Sequence, residues 1–357
     1  MTQRERWRPE VAMVAAGEFE TLVALRAKQG EFAALKALSD GDIVQPLLEL
    51  HETDHSPAGD TRQLVEVVRR LHGFGRLIMV DAAELKAVAS VGGEKPGGLA
   101  ELADSLLPVK LLDHPEQIPF IPVVRSGLPA NQVAWIGRLC NELGVGGAIR
   151  VRRSGATPEE VGRLIAGLEI GVENLDLLLD LQYVDSVTVE LIDWVSGTLV
   201  DLGRLGPFRS VTVLGGSVPS SLDRTAFWER PRFEELLWKS VHDGGLEQVR
   251  LGDYGVTHPG AGVPFPSKHV AVKYTCPGHW LFVRERTTDT SDRGRTLKTV
   301  CRNLAESDSF SGPEFSWGDS EISLGANGLG TGWGSTSKPV AIGTSHHLAY
   351  LASFQAA

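Results

Sequence analysis

The chain has 357 residues, 42% of them hydrophobic and 22% charged, which suits one large barrel with additions or two ordinary domains. Its formal net charge of -10 argues against a broad nucleic-acid-binding face, although a local basic patch is compatible with it. No run of eighteen apolar residues marks a membrane span, the N-terminal MTQRERWRPE lacks a signal-peptide core, and Cys140, Cys276 and Cys301 stand too far apart for a disulfide framework or a CxxC metal site. Together these predict a cytoplasmic protein with no membrane contact.

From residue 19 onward a short apolar run returns eight times: 19–27, 43–50, 76–82, 119–125, 146–152, 174–181, 210–216 and 246–253. Each run is continuous rather than alternating, as strands buried on both faces of a parallel sheet are. Helical patterns fill the gaps. Leu64, Val65, Val68 and Leu71 share one face of a helix over 62–71, and Val133, Ile136, Leu139, Cys140 and Leu143 do so over 131–143. Thr157-Pro158-Glu159-Glu160 reads as a capping box with proline at the first helical position. A longer apolar helix is predicted over 186–202, and VGGEKPGG (91–98) reads as a flexible surface loop. His51 and His55 have i, i+4 spacing, but Pro57 and Gly59 predict a loop there and argue against a zinc pair. Eight βα-like units over 19–258 predict an α/β fold, a (β/α)8 TIM-like barrel, with a doubly wound open sheet as the alternative.

After Asp253 the texture changes. HPGAGVPFPSK (258–268) is rich in Gly and Pro, and HVAVKYTCPGHWLFVRER reads as strand, tight turn, strand. Gly, Ser and Trp dominate from 308 on. Residues 259–357 are therefore expected to form an irregular, β-rich appendage packed on the barrel. GANGLGTGWG (325–334) lacks the lysine and following helix of a phosphate loop and reads as turns. Adjacent His346 and His347 would point to opposite faces of a strand.

In such barrels functional groups sit where strands end. Here those positions carry Arg26 and Lys28, Glu49 and His51, Asp81, Arg125, Arg150 with Arg152 and Arg153, Asp180, and Asp253. The seventh run ends in Gly215-Gly216-Ser217, where backbone could approach a ligand closely. Glu49, Asp81 and Asp253 are the candidates for acid–base work or for holding a divalent cation. Lys28, Arg125 and Arg150 are candidates for binding an anion, with Asp180 and Ser217 beside them. Buried together, the same charges could instead neutralise one another in a closed network. Asp253 is expected to pair with Arg150 or Lys28.

Several segments read together resemble the beta protein family of satellite phages, prophages and bacterial genomic islands. They are Lys28-Gln29-Gly30-Glu31 with Ala34-Leu35-Lys36, Pro46-Leu47-Leu48-Glu49-Leu50, Leu214-Gly215-Gly216-Ser217-Val218-Pro219, Gly252-Asp253-Tyr254-Gly255 with His258-Pro259, Lys273-Tyr274-Thr275, Phe315-Ser316-Trp317-Gly318-Asp319, Gly332-Trp333 and His346-His347. The resemblance spans residues 28 to 347 and leaves 1–18 as an N-terminal extension. The chain departs from the family pattern at Leu281 to Glu285, where a glycine is expected after Arg284. The resemblance adds Trp317, Asp319 and His346 as ligand-binding candidates near the same barrel end. It implies an antiphage defence or toxin–antidote role beside a growth-inhibiting partner, without supplying a reaction.

Two functions follow as expectations. One is a binding or regulatory barrel that recognises a protein encoded in the same locus or a phage component; the Gly- and Trp-rich loops suit contact surfaces. The other is a metal-assisted hydrolase of a phosphodiester or nucleotide, using the strand-end charges. An open mouth with convergent, unpaired charges would favour the enzyme, and a mouth plugged by the appendage the binder.

Overall fold

The structure, a computed structural model, describes residues 19–39, 44–51, 57–84, 87–90, 93–106, 118–222, 226–260 and 268–354. The N-terminal extension and His55 lie outside them. All eight apolar runs are strands: β1 (Thr21–Arg26), β2 (Gln45–Glu49), β3 (Met79–Asp81), β6 (Ile121–Arg125), β7 (Gly147–Arg152), β8 (Leu175–Tyr183), β9 (Ser210–Gly216) and β11 (Val249–Asp253). Every neighbouring pair is parallel, and β1 pairs with both β2 and β11, so the sheet closes into a barrel and the open-sheet alternative falls.

Closure explains the continuous apolar runs. Leu22, Ala24, Leu47, Met79, Ile121, Val123, Ala148, Leu178 and Leu214 point inward and pack together inside the barrel. Their chain neighbours Val23, Leu25, Leu48, Val80, Val124, Ile149, Leu177 and Leu179 face the helices outside. The helices connecting barrel strands are α1 (Gln29–Ala37), α2 (Pro57–Gly73), α3 (Gly97–Leu106), α4 (Ala130–Leu143), α5 (Pro158–Leu168), α6 (Val189–Gly203) and α7 (Phe233–Asp243). Thr157 caps α5 by accepting from the Glu160 amide. The other half of the capping box is not made: the Glu160 carboxylate turns to the Gly127 amide and to Arg163.

Local glycine and proline content misleads in three places. Gly93–Pro96 is a strand, β5, paired antiparallel with β4 (Ala87–Ser90), and α3 starts at Gly97, so 91–98 is not simply a loop. Pro57 opens α2 rather than a loop, as proline can at a first helical turn. After the barrel comes a three-stranded sheet of β10 (Ala226–Pro231), β13 (His279–Arg286) and β12 (His269–Cys276). The rest of the appendage is regular: helices α8 (Arg293–Ala305), α9 (Trp317–Ala326) and α10 (Lys338–Phe354). These close over their own apolar cluster, which includes Val272, Tyr274, Val283, Leu297, Leu304, Ile322, Trp333 and Ile342. The turn reading of 325–334 holds from Asn327 on, with positive φ at Gly328, Gly330 and Gly332, whereas Gly325 and Ala326 end α9. β10 lies in sequence between β9 and α7, so the barrel contributes one strand of the appendage sheet.

Candidate functional site

Parallel register sets the last residues of β2, β3 and β6 beside Arg150 near the end of β7, with Glu49 opposite Asp81 and Arg125 opposite Arg150. Their side chains converge and pair. Arg150, 1% exposed, places Nη1 2.7 Å from Glu49 and 2.8 Å from Asp81, and Nη2 3.0 Å from Asp180. Arg125 donates through Nε to Asp81 at 2.6 Å, reaches Glu49 at 3.4 Å, and meets Glu84 through Nη1 at 2.6 Å. Arg152 bonds Asp180 at 3.3 Å from the rim. Burial alone would raise the Glu49 carboxyl, but His51 and then the Arg150 and Arg125 guanidinium groups outweigh it and hold it down at about 2. Burial would likewise lower Arg150, yet Asp180, Asp81 and Glu49 push it well above its ordinary value.

A tyrosine seals the centre of this network. Tyr254 follows β11, is 2% exposed, and packs with the residues lining the barrel interior. Its hydroxyl donates to Asp180 at 2.6 Å and accepts from Arg150 at 2.6 Å. Burial, and then the adjacent Asp180 charge, drive its pKa well up, so the phenol stays protonated. The chain beyond it is strapped across the mouth. Lys273 donates to the Val256 carbonyl, Arg26 to the carbonyls of His258 and Gly260, and the His258 ring packs on Tyr183. A Cβ on Gly216 would stand 3.0 Å from Pro259 and 3.2 Å from Tyr254. Gly216, the last residue of β9, therefore admits this strap rather than a ligand, whereas Gly215 faces Val184 and Glu234.

Asp253 belongs to a second group. It does not pair with Arg150 or Lys28. One carboxylate oxygen accepts from Arg232 at 3.0 Å, and the other accepts from His347 at 3.0 Å and from the Gly255 amide. Arg232 also meets Glu234 and Glu235. Ser217 lies here, accepting from Trp280, which also reaches Glu234. His347 bonds the Thr275 hydroxyl at 2.8 Å through its other nitrogen. Carboxylate, imidazole and hydroxyl stand in the order of a nucleophilic triad. All three residues are at most 1% exposed, so the hydroxyl is shielded from solvent and the trio ties α10 and β12 to the end of β11.

The third group continues from the second. His346 donates Nε2–H to the Thr275 carbonyl and meets Asp319 through Nδ1 at 2.9 Å. Tyr274 stacks on the His346 ring and donates its hydroxyl to Asp319. The two histidines sit on α10, not on a strand, and both are fully buried. Asp319, His346, Thr275, His347 and Asp253 thus form one hydrogen-bonded line from the appendage to the barrel end.

The expected residues divide as follows. Glu49, Asp81, Arg125, Arg150 and Asp180 share the central network; Asp253 and Ser217 join the Arg232 group; Asp319 and His346 lie in the appendage group. Trp317 is half-buried under Lys338, and Lys28 is exposed at the start of α1, away from the network's bonds. Glu49, Asp81 and Asp253 do not form one ligand set, and among the described residues no group of three or more His, Cys, Asp or Glu could hold a metal ion. Arg232, Tyr254, Thr275 and His347 were missed as site residues. Tyr254, Thr275 and His347 stood inside quoted motifs, while Arg232 carried no signal because it follows the inserted β10. Among the described residues no helix is long and apolar enough to cross a membrane.

No curated protein matches the chain. A family model described as Beta protein matches residues 23–353, nearly the whole length, so that the mouth network, the strap and the histidine line all fall inside the match. The chain belongs to the beta protein family.

Proposed function

We propose that this chain acts by recognition rather than by chemistry, as the binding or regulatory component of a cytoplasmic antiphage defence or toxin–antidote system. The observation that carries this reading is the plugged mouth. Tyr254 fills the centre where a barrel enzyme would seat its substrate, and the strand-end carboxylates are committed to arginines. Lifting such carboxylates out of their pairs to serve a metal or water would strand buried charge. The hydrolase reading therefore loses its free acid–base groups.

A contact surface is at hand. Beside the ends of β8 and β9, a cleft of about 380 Å³ is lined by Pro219, Ser221, Trp228, Glu229, Arg230, Pro231 and Phe233. Arg230 lies over the Tyr183 and Phe233 rings, and Phe227 is 43% exposed nearby. Arginine and large aromatics are the residue types that concentrate binding energy at protein interfaces. The test is growth rescue against a growth-inhibiting partner of the kind that the family resemblance implies beside the gene. A folded Glu49→Gln chain should rescue like the wild type, and Phe227→Asp with Arg230→Glu should not. Loss of rescue in folded Glu49→Gln, with the cleft variant active, would favour the hydrolase.

A further inference from the structure

Three arginines and three buried carboxylates balance at the mouth: Arg125, Arg150 and Arg152 against Glu49, Asp81 and Asp180. Glu84, just past β3, is a fourth carboxylate and the surplus one. Its side chain is 44% exposed, whereas the other three are at most 4% exposed. One Glu84 oxygen stands 2.6 Å from Arg125 Nη1 and 3.9 Å from Arg152 Nη2. Among the described residues those two nitrogens meet only Glu84, because the buried carboxylates engage the other edges of both guanidinium groups.

We propose that Arg125 Nη1 and Arg152 Nη2 form a carboxylate-binding subsite on the rim of the mouth, and that Glu84 is its resident occupant. The buried pairs fix Arg125, so its outward edge is preorganised for a planar acceptor. Arg152 is half-exposed and supplies the second donor edge. Exchanging Glu84 for an external carboxylate leaves the charge of the network unchanged. The exposed arm that is given up is of the kind that adds little to stability. Tyr254 closes the centre, whereas at the rim Arg152 and Glu84 are 38% and 44% exposed and cover the 10% exposed Arg125, so displacement of Glu84 gives access without opening the mouth. The inference goes beyond the recognition reading and stands without it. The carboxylate could come from a small molecule or from an acidic side chain of a partner.

The experiment titrates the full-length chain with acetate, with inorganic phosphate, and with a blocked-terminus peptide carrying one Glu, at constant ionic strength. Binding is followed through the arginine side-chain nitrogen signals. Glu84→Gln and Glu84→Ala should bind acetate or the Glu peptide about tenfold more tightly than wild type, because a tethered competitor at millimolar effective concentration is gone. Adding Arg152→Met should abolish the gain, and Arg152→Lys should restore only part of it. Tighter binding of the peptide alone assigns the carboxylate to a protein side chain. Binding of phosphate without acetate or peptide would overturn the ligand class. Folded Glu84 variants that bind no more tightly than wild type would overturn the subsite.

Discussion

Replacing Glu49 with Gln keeps the shape of the side chain and removes one charge from the centre of the mouth. Glu49 is 3% exposed and bonded to Arg150 and Arg125. His51 is 3.8 Å away, an ion-pair distance too long for a hydrogen bond. Burial would raise the carboxyl, so the fall from 4.5 to about 2 measures how far His51 and the Arg150 and Arg125 guanidinium groups together overcome it. That fall corresponds to about 3 kcal/mol, at about 1.4 kcal/mol per pKa unit. The folded value lies below the unfolded one, so the contribution is fully present above pH 4.5 and is lost as pH falls toward 2. Urea unfolding of both chains between pH 7 and pH 3 tests this. The stability gap should be about 3 kcal/mol at pH 7 and about half that at pH 3. A gap that does not change with pH, or no gap at pH 7, would refute the account of the network.

Asp253→Asn should cost about 2–3 kcal/mol, below the 3–5 kcal/mol of a fully broken buried pair, because Arg232 keeps Glu234 and Glu235; denaturant titration reads it, and an unchanged midpoint would contradict the tie. Burial, with Arg26 adding to it, lowers Lys273 to about 8 from 10.5. Its folded value lies below the unfolded one, so stability should rise between pH 8 and pH 10.5, and Lys273→Met should show no such rise in the same measurement. Gly318→Ala should destabilise by at least about 1–3 kcal/mol, since its Cβ would lie 2.1 Å from the Ile342 carbonyl where α9 crosses α10; a melting temperature equal to wild type would show that the helices can separate freely.

The barrel was legible because both faces of its strands are buried, which writes each strand as an uninterrupted apolar run. The mouth was legible for a related reason: parallel strands end together, so the charges after the runs had to meet. What the runs could not show was who pairs with whom. Asp253 lies beside Glu49 and Asp81 in strand-end logic, yet Arg232 reaches it from an insertion whose strand belongs to another sheet. Tyr254 read as one residue of a glycine-flanked turn, because nothing local tells a solvent-facing tyrosine from one turned into a barrel. The helices of the tail were hidden by their own packing. Gly318 and Gly325 sit where a Cβ would strike Ile342 and Trp333, so tertiary contact selects glycine against helix propensity.

The ordered motifs that first suggested a family acquire a common physical meaning from this geometry. Leu214 to Pro219, Gly252 to Gly255 and His258-Pro259 build the plug and the strap. Lys273 to Thr275, Phe315 to Asp319 and His346-His347 build the line that fastens the appendage to Asp253. A chain devoted to catalysis would place its chemistry-bearing residues where a substrate could reach them. Here Asp319, His346, Thr275, His347, Asp253 and Arg232 are all buried. Such residues, each satisfied by the next, tie the appendage to the end of the barrel. A tie of that kind suits recognition, since a preordered face loses less freedom when a partner binds. On the proposed recognition reading, the surfaces to test are those the junction holds in place, the aromatic cleft beside β8 and β9 and the arginine rim at Glu84.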